Sequence, residues 1–119
     1  VTDQGPDTPE PEIHEIVRRL NAHLGTTVVA ALAGSRDSRS PHAWAEDVTP
    51  AHDAEQRIRA AYRVWVMIAD SESKETARAW FLGKNPILDG TPPVLALRRG
   101  QAADVLTAAE ALSTDTWSL

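Results

Sequence analysis

Apolar side chains recur at Ile13, Ile16, Val17, Leu20 and Leu24, a three-and-four spacing that sets them on one helical face, and Gly25 stands where that helix would stop. Thr26 and Thr27 then lead into Val28-Val29-Ala30-Ala31-Leu32-Ala33 and Gly34. The β-branched pair admits a strand, but the capping threonine and the closing glycine favour a short buried helix. Ser40-Pro41 and Thr49-Pro50 each place a hydroxyl cap before a proline. They predict a third helix from Pro41 to about Asp47 and a long fourth helix ending near Asp70. The fourth carries Ala51, Ala54, Ile58, Ala61, Tyr62, Trp65, Ile68 and Ala69 on a continuous apolar face, with Gln56, Arg57, Arg59 and Arg63 mostly off it. Ser71 or Ser73 recaps the chain for a fifth helix through Leu82, which Gly83 ends. A sixth is expected from about Pro92 to Arg99, and a seventh from Gln101 to Leu112 with Val105, Leu106, Ala109 and Leu112 inward. No run shows the two-residue alternation of an exposed strand, so the expected class is all-α, a compact multi-helix domain without internal repeats.

A chain of 119 residues has the length of one ordinary domain and can bury a core without cross-links. Residues 1–11 hold three prolines, a glycine and acidic side chains without an apolar period, and read as a disordered acidic lead-in. Residues 113–119 lack a helical period and read as a tail. The net charge of −5 is concentrated toward the ends. Asp3, Asp7, Glu10 and Glu12 open the chain without a cation, and residues 100–119 hold Asp104, Glu110 and Asp115 and no Lys or Arg. The middle is near neutral, so composition offers no basic surface of the kind that drives nucleic-acid binding. Cysteine is absent, which removes disulfides, thiolate metal sites and a cysteine nucleophile. The longest apolar run, Val64 to Ala69, is too short to span a bilayer, and a soluble cytoplasmic protein is expected.

The stretch from Leu24 to Trp44 has the outline of a helix-turn-helix, with Arg36 and Arg39 in the turn and His42 opening the second helix. These three are the candidate DNA contacts. The turn is long, about seven residues where three or four are usual, and Asp37, Glu46 and Asp47 oppose a phosphate surface. The region from 12 to 70 is therefore read as a degenerate form of that motif. His14, His23, His42 and His52 never pair at the spacing of a helical metal site and are expected at the surface. Neither a Gly-x-Ser-x-Gly nucleophile nor a phosphate-cradling glycine loop occurs. The expectation is a non-enzyme with no catalytic residue, no metal and no cofactor of its own. Trp44, Trp65 and Trp80 fall in predicted helices and read as core side chains. Trp117 lies after the last helix, where a tryptophan either folds back or anchors a partner.

The last third carries the sharpest punctuation: Trp80-Phe81-Leu82-Gly83-Lys84-Asn85-Pro86-Ile87-Leu88-Asp89-Gly90, then Pro92-Pro93-Val94-Leu95-Ala96-Leu97 and Gly100. Trp80, Asn85, Pro86, Leu88, Gly90, Pro93, Leu95, Leu97 and Gly100 resemble the pattern of the C-terminal toxin-binding domain of the MbcA/ParS/Xre antitoxin family, over about residues 75–112. Trp80, Leu88 and Leu95 are expected to pack, and Pro92 replaces a usual capping threonine, moving the expected cap of the sixth helix to Thr91.

The resemblance implies an antitoxin that binds a RES-domain toxin and blocks that toxin's NAD cleft, as a homodimer or a hetero-oligomer with the toxin. If that holds, the expected toxin-binding residues are Lys84 and Asp89 in the loop and Thr114, Asp115, Trp117 and Leu119 in the 113–119 tail, which would enter or cover the cleft with Trp117 as anchor. A cleft built for NAD favours negative charge and π-surfaces, which Asp115, the Leu119 carboxylate and the Trp117 indole would supply. The other reading open from the sequence is a DNA-binding regulator of its own operon.

Overall fold

The computed structural model describes residues 10–115, Asp115 by its backbone alone. Those residues form seven α-helices and one 3₁₀ turn, with no strand among them: α1 (Ile13–Leu24), α2 (Thr26–Ala33), α3 (Ser40–Glu46), α4 (His52–Ser71), α5 (Lys74–Leu82), the 3₁₀ turn Pro86–Leu88, α6 (Pro93–Arg98) and α7 (Ala102–Asp115). The chain is all-α, as its periodicity indicates.

Glu12 opens α1 from an extended backbone, its carboxylate accepting the His14 N–H, and Ile13, Ile16, Val17, Leu20 and Leu24 are buried. Gly25, at φ 90°, ends α1 and starts α2, a rotation that only a residue without a Cβ makes cheaply. α2 has almost no polar side chain and packs against α1, α3, α4 and α6. The most extensive interface joins α4 to α7. Leu20, Leu32, Ile58, Phe81, Leu97 and Val105 belong to one core, so the regions on either side of residue 70 fold together around it.

The C-terminus of α2 is where this packing is pinned. Gly34 takes the left-handed conformation, its N–H bonding Ala31 O while Ser35 N–H bonds Ala30 O, the paired closure of a Schellman motif. Two arginines from distant elements complete the cap. Arg57 of α4 donates to Ala33 O (3.3 Å), and Arg98 of α6 donates to Ala31 O (2.9 Å) and Ser35 O (3.1 Å). Positive charge at the negative end of the helix is favoured by both hydrogen bonding and the macrodipole. A Cβ on Gly34 would lie 2.9 Å from the Arg57 guanidinium.

Several expectations are corrected. Thr49-Pro50 does not start α4: Ala51 is its cap residue and Pro50 is buried ahead of it. Ser40 lies inside α3 instead of capping it, because its hydroxyl bonds that of Ser35. α6 is preceded by Pro92 with no side-chain cap, so Thr91 does not serve. Leu95 is exposed, because the face that α6 buries is formed by Val94, Ala96 and Leu97. Glu10, placed in the lead-in, forms ion pairs with Arg59 (3.3 Å) and Arg63 (2.6 Å) on α4. Residues 1–9 lie outside the described residues.

Gly90 also has positive φ but open space beyond its Cα, so Gly90→Ala should cost only the left-handed penalty of about 1–2 kcal/mol. Gly34→Ala should cost more, since Arg57 must also move. Arg98→Met should cost about 1–3 kcal/mol by stripping a donor from two carbonyls. Urea unfolding of the three variants checks the order.

Candidate functional site

The loop between α5 and α6 is built from local rules. Ser73 caps α5 by accepting the Thr76 N–H (3.0 Å), and Gly83 N–H closes it onto Ala79 O. Asn85 is only 7% exposed; its side-chain oxygen accepts the Ile87 N–H (2.9 Å), and its carbonyl accepts Leu88 N–H and Gly90 N–H. With Pro86 at the first position, those bonds impose one turn of 3₁₀ helix. Asp89 follows in the left-handed region at φ 56°, a conformation that Asp tolerates better than most side chains.

A loop tied down in this way presents its side chains in fixed positions. Ile87 is 54% exposed, and Leu82 and Leu95 on either side are 41% and 38% exposed. Three of the five exposed large apolar side chains of the described residues thus come from one 14-residue stretch. Ile87, Leu88, Asp89 and Thr91 line a groove of about 390 Å³ together with Arg99 and Gln101 from the turn between α6 and α7 and Asp104 from the first turn of α7. Lys84 is exposed on the same loop.

Of the residues assigned to toxin binding from the sequence, Asp89 lies in this groove and Thr114 and Asp115 lie at the far end of α7. Ten helical residues separate Asp104 from Thr114, about 15 Å along the axis, so the assigned set falls into two groups. The tail expected from residue 113 starts later, because α7 continues through Asp115. Ser113 Oγ lies 3.5 Å from Ser71 Oγ at the end of α4, and the Thr114 hydroxyl bonds the carbonyls of Glu110 and Ala111. Those bonds satisfy polar groups in the last turns that periodicity alone does not register. Trp117 and Leu119 lie outside the described residues.

At the other candidate site, α3 is docked by side chains from α1 at positions 14, 18 and 21, one helical face. His14 Nδ1 donates to Trp44 O (2.7 Å), Arg18 to Ala45 O (2.6 Å) and Asn21 to Pro41 O (3.1 Å). α3 therefore packs more extensively on α1 than on α2. Arg39 is 87% exposed on its side chain, but its guanidinium forks onto Asp37, both contacts at 3.0 Å, and the hydrogen bonds from Arg39 hold the Asp37 carboxyl below its usual range. Arg36 and His42 are exposed, and Arg36 has no side-chain partner among the described residues. Arg57 and Arg98 reach the same turn, a convergence that sequence spacing does not contain.

The histidines correct another expectation. His14 and His23 are half-buried, the first bonded to α3 and the second stacked on Trp65 at 4.7 Å, whereas His42 and His52 are exposed. Trp65 is buried, while Trp44 and Trp80 are half-buried against the core. Among the described residues no group of His, Asp and Glu could hold a metal ion, and no helix is long and apolar enough to cross a membrane.

On α1, Glu15 accepts hydrogen bonds from Arg18 and Arg19 (both 2.9 Å), which lower its pKa from the usual 4.5. A carboxyl depressed on folding stabilises the protein above its unfolded pKa and loses that contribution as pH falls through the lower folded value. Glu15→Gln should therefore flatten the loss of stability below pH 4.5, read from urea midpoints at neutral and acidic pH. Comparison of the chain with family models, curated proteins and solved structures finds no match.

Proposed function

We propose that this protein is an antitoxin that binds a RES-domain, NAD-consuming toxin and blocks the toxin's NAD cleft. The observation that carries the reading is the fixed, exposed apolar set Leu82, Ile87 and Leu95, on the stretch whose sequence resembles the MbcA/ParS/Xre toxin-binding domain. Apolar side chains held rigidly at the surface lose little entropy on binding and favour contact with another protein. Lys84 and Asp89 flank them as polar rim. The far end of α7 supports a second contact, since the helix packs along α4 and Trp117 and Leu119 follow it in sequence. In this reading the loop holds the toxin while Asp115, Trp117 and Leu119 occupy its cleft, and the antitoxin itself performs no chemistry.

A second reading, a DNA-binding regulator of its own operon, is favoured by one observation: Arg57 and Arg98 close onto the turn that carries Arg36 and Arg39, adding charge where composition showed none. In this reading Arg36, Arg39 and His42 are the contacts, and Asp37 restrains Arg39.

Co-purification with a RES-domain toxin, followed by an NAD-consumption assay, tests the first reading. Ile87→Glu should weaken the complex at least about tenfold, the scale of a buried anchor residue. Removing residues 116–119 should restore NAD consumption while α7 stays folded. An inhibited toxin with both variants rejects the proposal. For the second reading, Asp37→Asn should strengthen salt-dependent binding to operon DNA, and Arg36→Ala with Arg39→Ala should abolish it; an unchanged DNA affinity in both rejects it.

A further inference from the structure

The groove between the 3₁₀ turn and α7 combines apolar and charged side chains in its lining. The stretch around the 3₁₀ turn contributes Ile87, Leu88, Asp89 and Thr91 to its lining, and the chain leading from α6 into α7 contributes Arg99, Gln101 and Asp104. Asp89, Arg99 and Asp104 form no ion pair with one another or with any other described residue, although Arg99 and Asp104 line the same cavity. The Arg99 N–H closes α6 onto Leu95 O, which fixes where its side chain begins. The two carboxylates are thus left available, on a surface whose most exposed large apolar side chain is Ile87.

From this arrangement we infer that the groove docks a partner segment presenting an arginine beside an aliphatic residue. The guanidinium lies between Asp89 and Asp104, and the aliphatic groups lie on Ile87 and Leu88. The inference rests on the protein-binding reading above and names the chemistry of the segment recognised. Arginine fits better than lysine. Its planar fork offers donors to two carboxylates at once, and its weakly hydrated stem lies against apolar surface at lower cost. Two carboxylates against one guanidinium leave the groove with an excess of negative charge, so a cationic segment is favoured and an acidic one opposed. The turn does not need to form on binding, because Asn85 and the left-handed Asp89 already hold it.

The test uses the full chain and three blocked peptides, acetyl-Leu-Arg-Leu-amide and its Gln and Glu counterparts, followed by NMR. A single-groove contact of this size is expected at about millimolar affinity. The Arg peptide should shift the Ile87 methyl and the Asp89 and Asp104 amides, and the Glu peptide should not. Asp89→Asn with Asp104→Asn should weaken the Arg peptide about tenfold. Asn keeps the left-handed backbone and the shape of both side chains, so loss of folding does not cloud the result. Equal shifts from the Glu peptide, shifts confined to other surfaces, or no shift with the Arg peptide would overturn the inference. Each of these outcomes leaves the toxin assay standing or falling on its own result.

Discussion

The structure depends on how one nearly featureless helix is terminated. α2 has no polar side chain past Thr27 and contacts four other helices, and its last carbonyls are part-buried beneath side chains from α4 and α6. A buried carbonyl without a donor costs about 1–3 kcal/mol, and several such groups would make the position untenable. Gly34 supplies the backbone closure, and Arg57 and Arg98 supply the side-chain donors. Because those arginines come from α4 and α6, satisfying one helix end also fixes where two other helices sit. Both halves of the chain are locked to one another by the same polar requirement.

A similar economy acts at the surface of the second half. Asn85 is buried, and its side chain and carbonyl together organise the turn from Pro86 to Gly90. Most surface loops are mobile because water serves their backbone groups as well as the protein does. Here the Asn85 side chain and carbonyl serve the backbone N–H groups of Ile87, Leu88 and Gly90, and Ile87 stands exposed on that turn.

The charges follow a different logic. Arg18 and Arg19 bond Glu15, Arg59 bonds Glu55 and Glu10, and Arg39 forks onto Asp37. These pairs are mostly exposed, and contributions of such pairs to stability are small. Their effect is to leave little unpaired positive charge on α1 and α4. The turn after α2 differs only because Arg57 and Arg98 arrive there to serve carbonyls, which makes its charge a by-product of the fold.

Periodicity determined the seven helices, since burying a face at three-and-four spacing needs only local chain geometry. The glycine stops at residues 25, 34 and 83 were legible for the same reason, and so was the Asn-Pro turn. Starts were less legible. Ser40 and Thr49 carried capping side chains, but Ser40 found Ser35 across the turn, and Thr49-Pro50 stayed outside α4. A hydroxyl bonds whichever partner tertiary packing brings nearest. The candidate surface divides in the same manner. Asp89 and Lys84 stand out in sequence beside the loop signals, whereas Arg99, Gln101 and Asp104, which line the same groove, come from the α6–α7 turn and the start of α7. Exposure of Ile87 and Leu95, and the meeting of Arg57 with Arg98 at one helix end, were decided only by the tertiary structure. Local sequence specifies which residues share a face, but contacts 24 and 67 residues apart depend on how the helices pack.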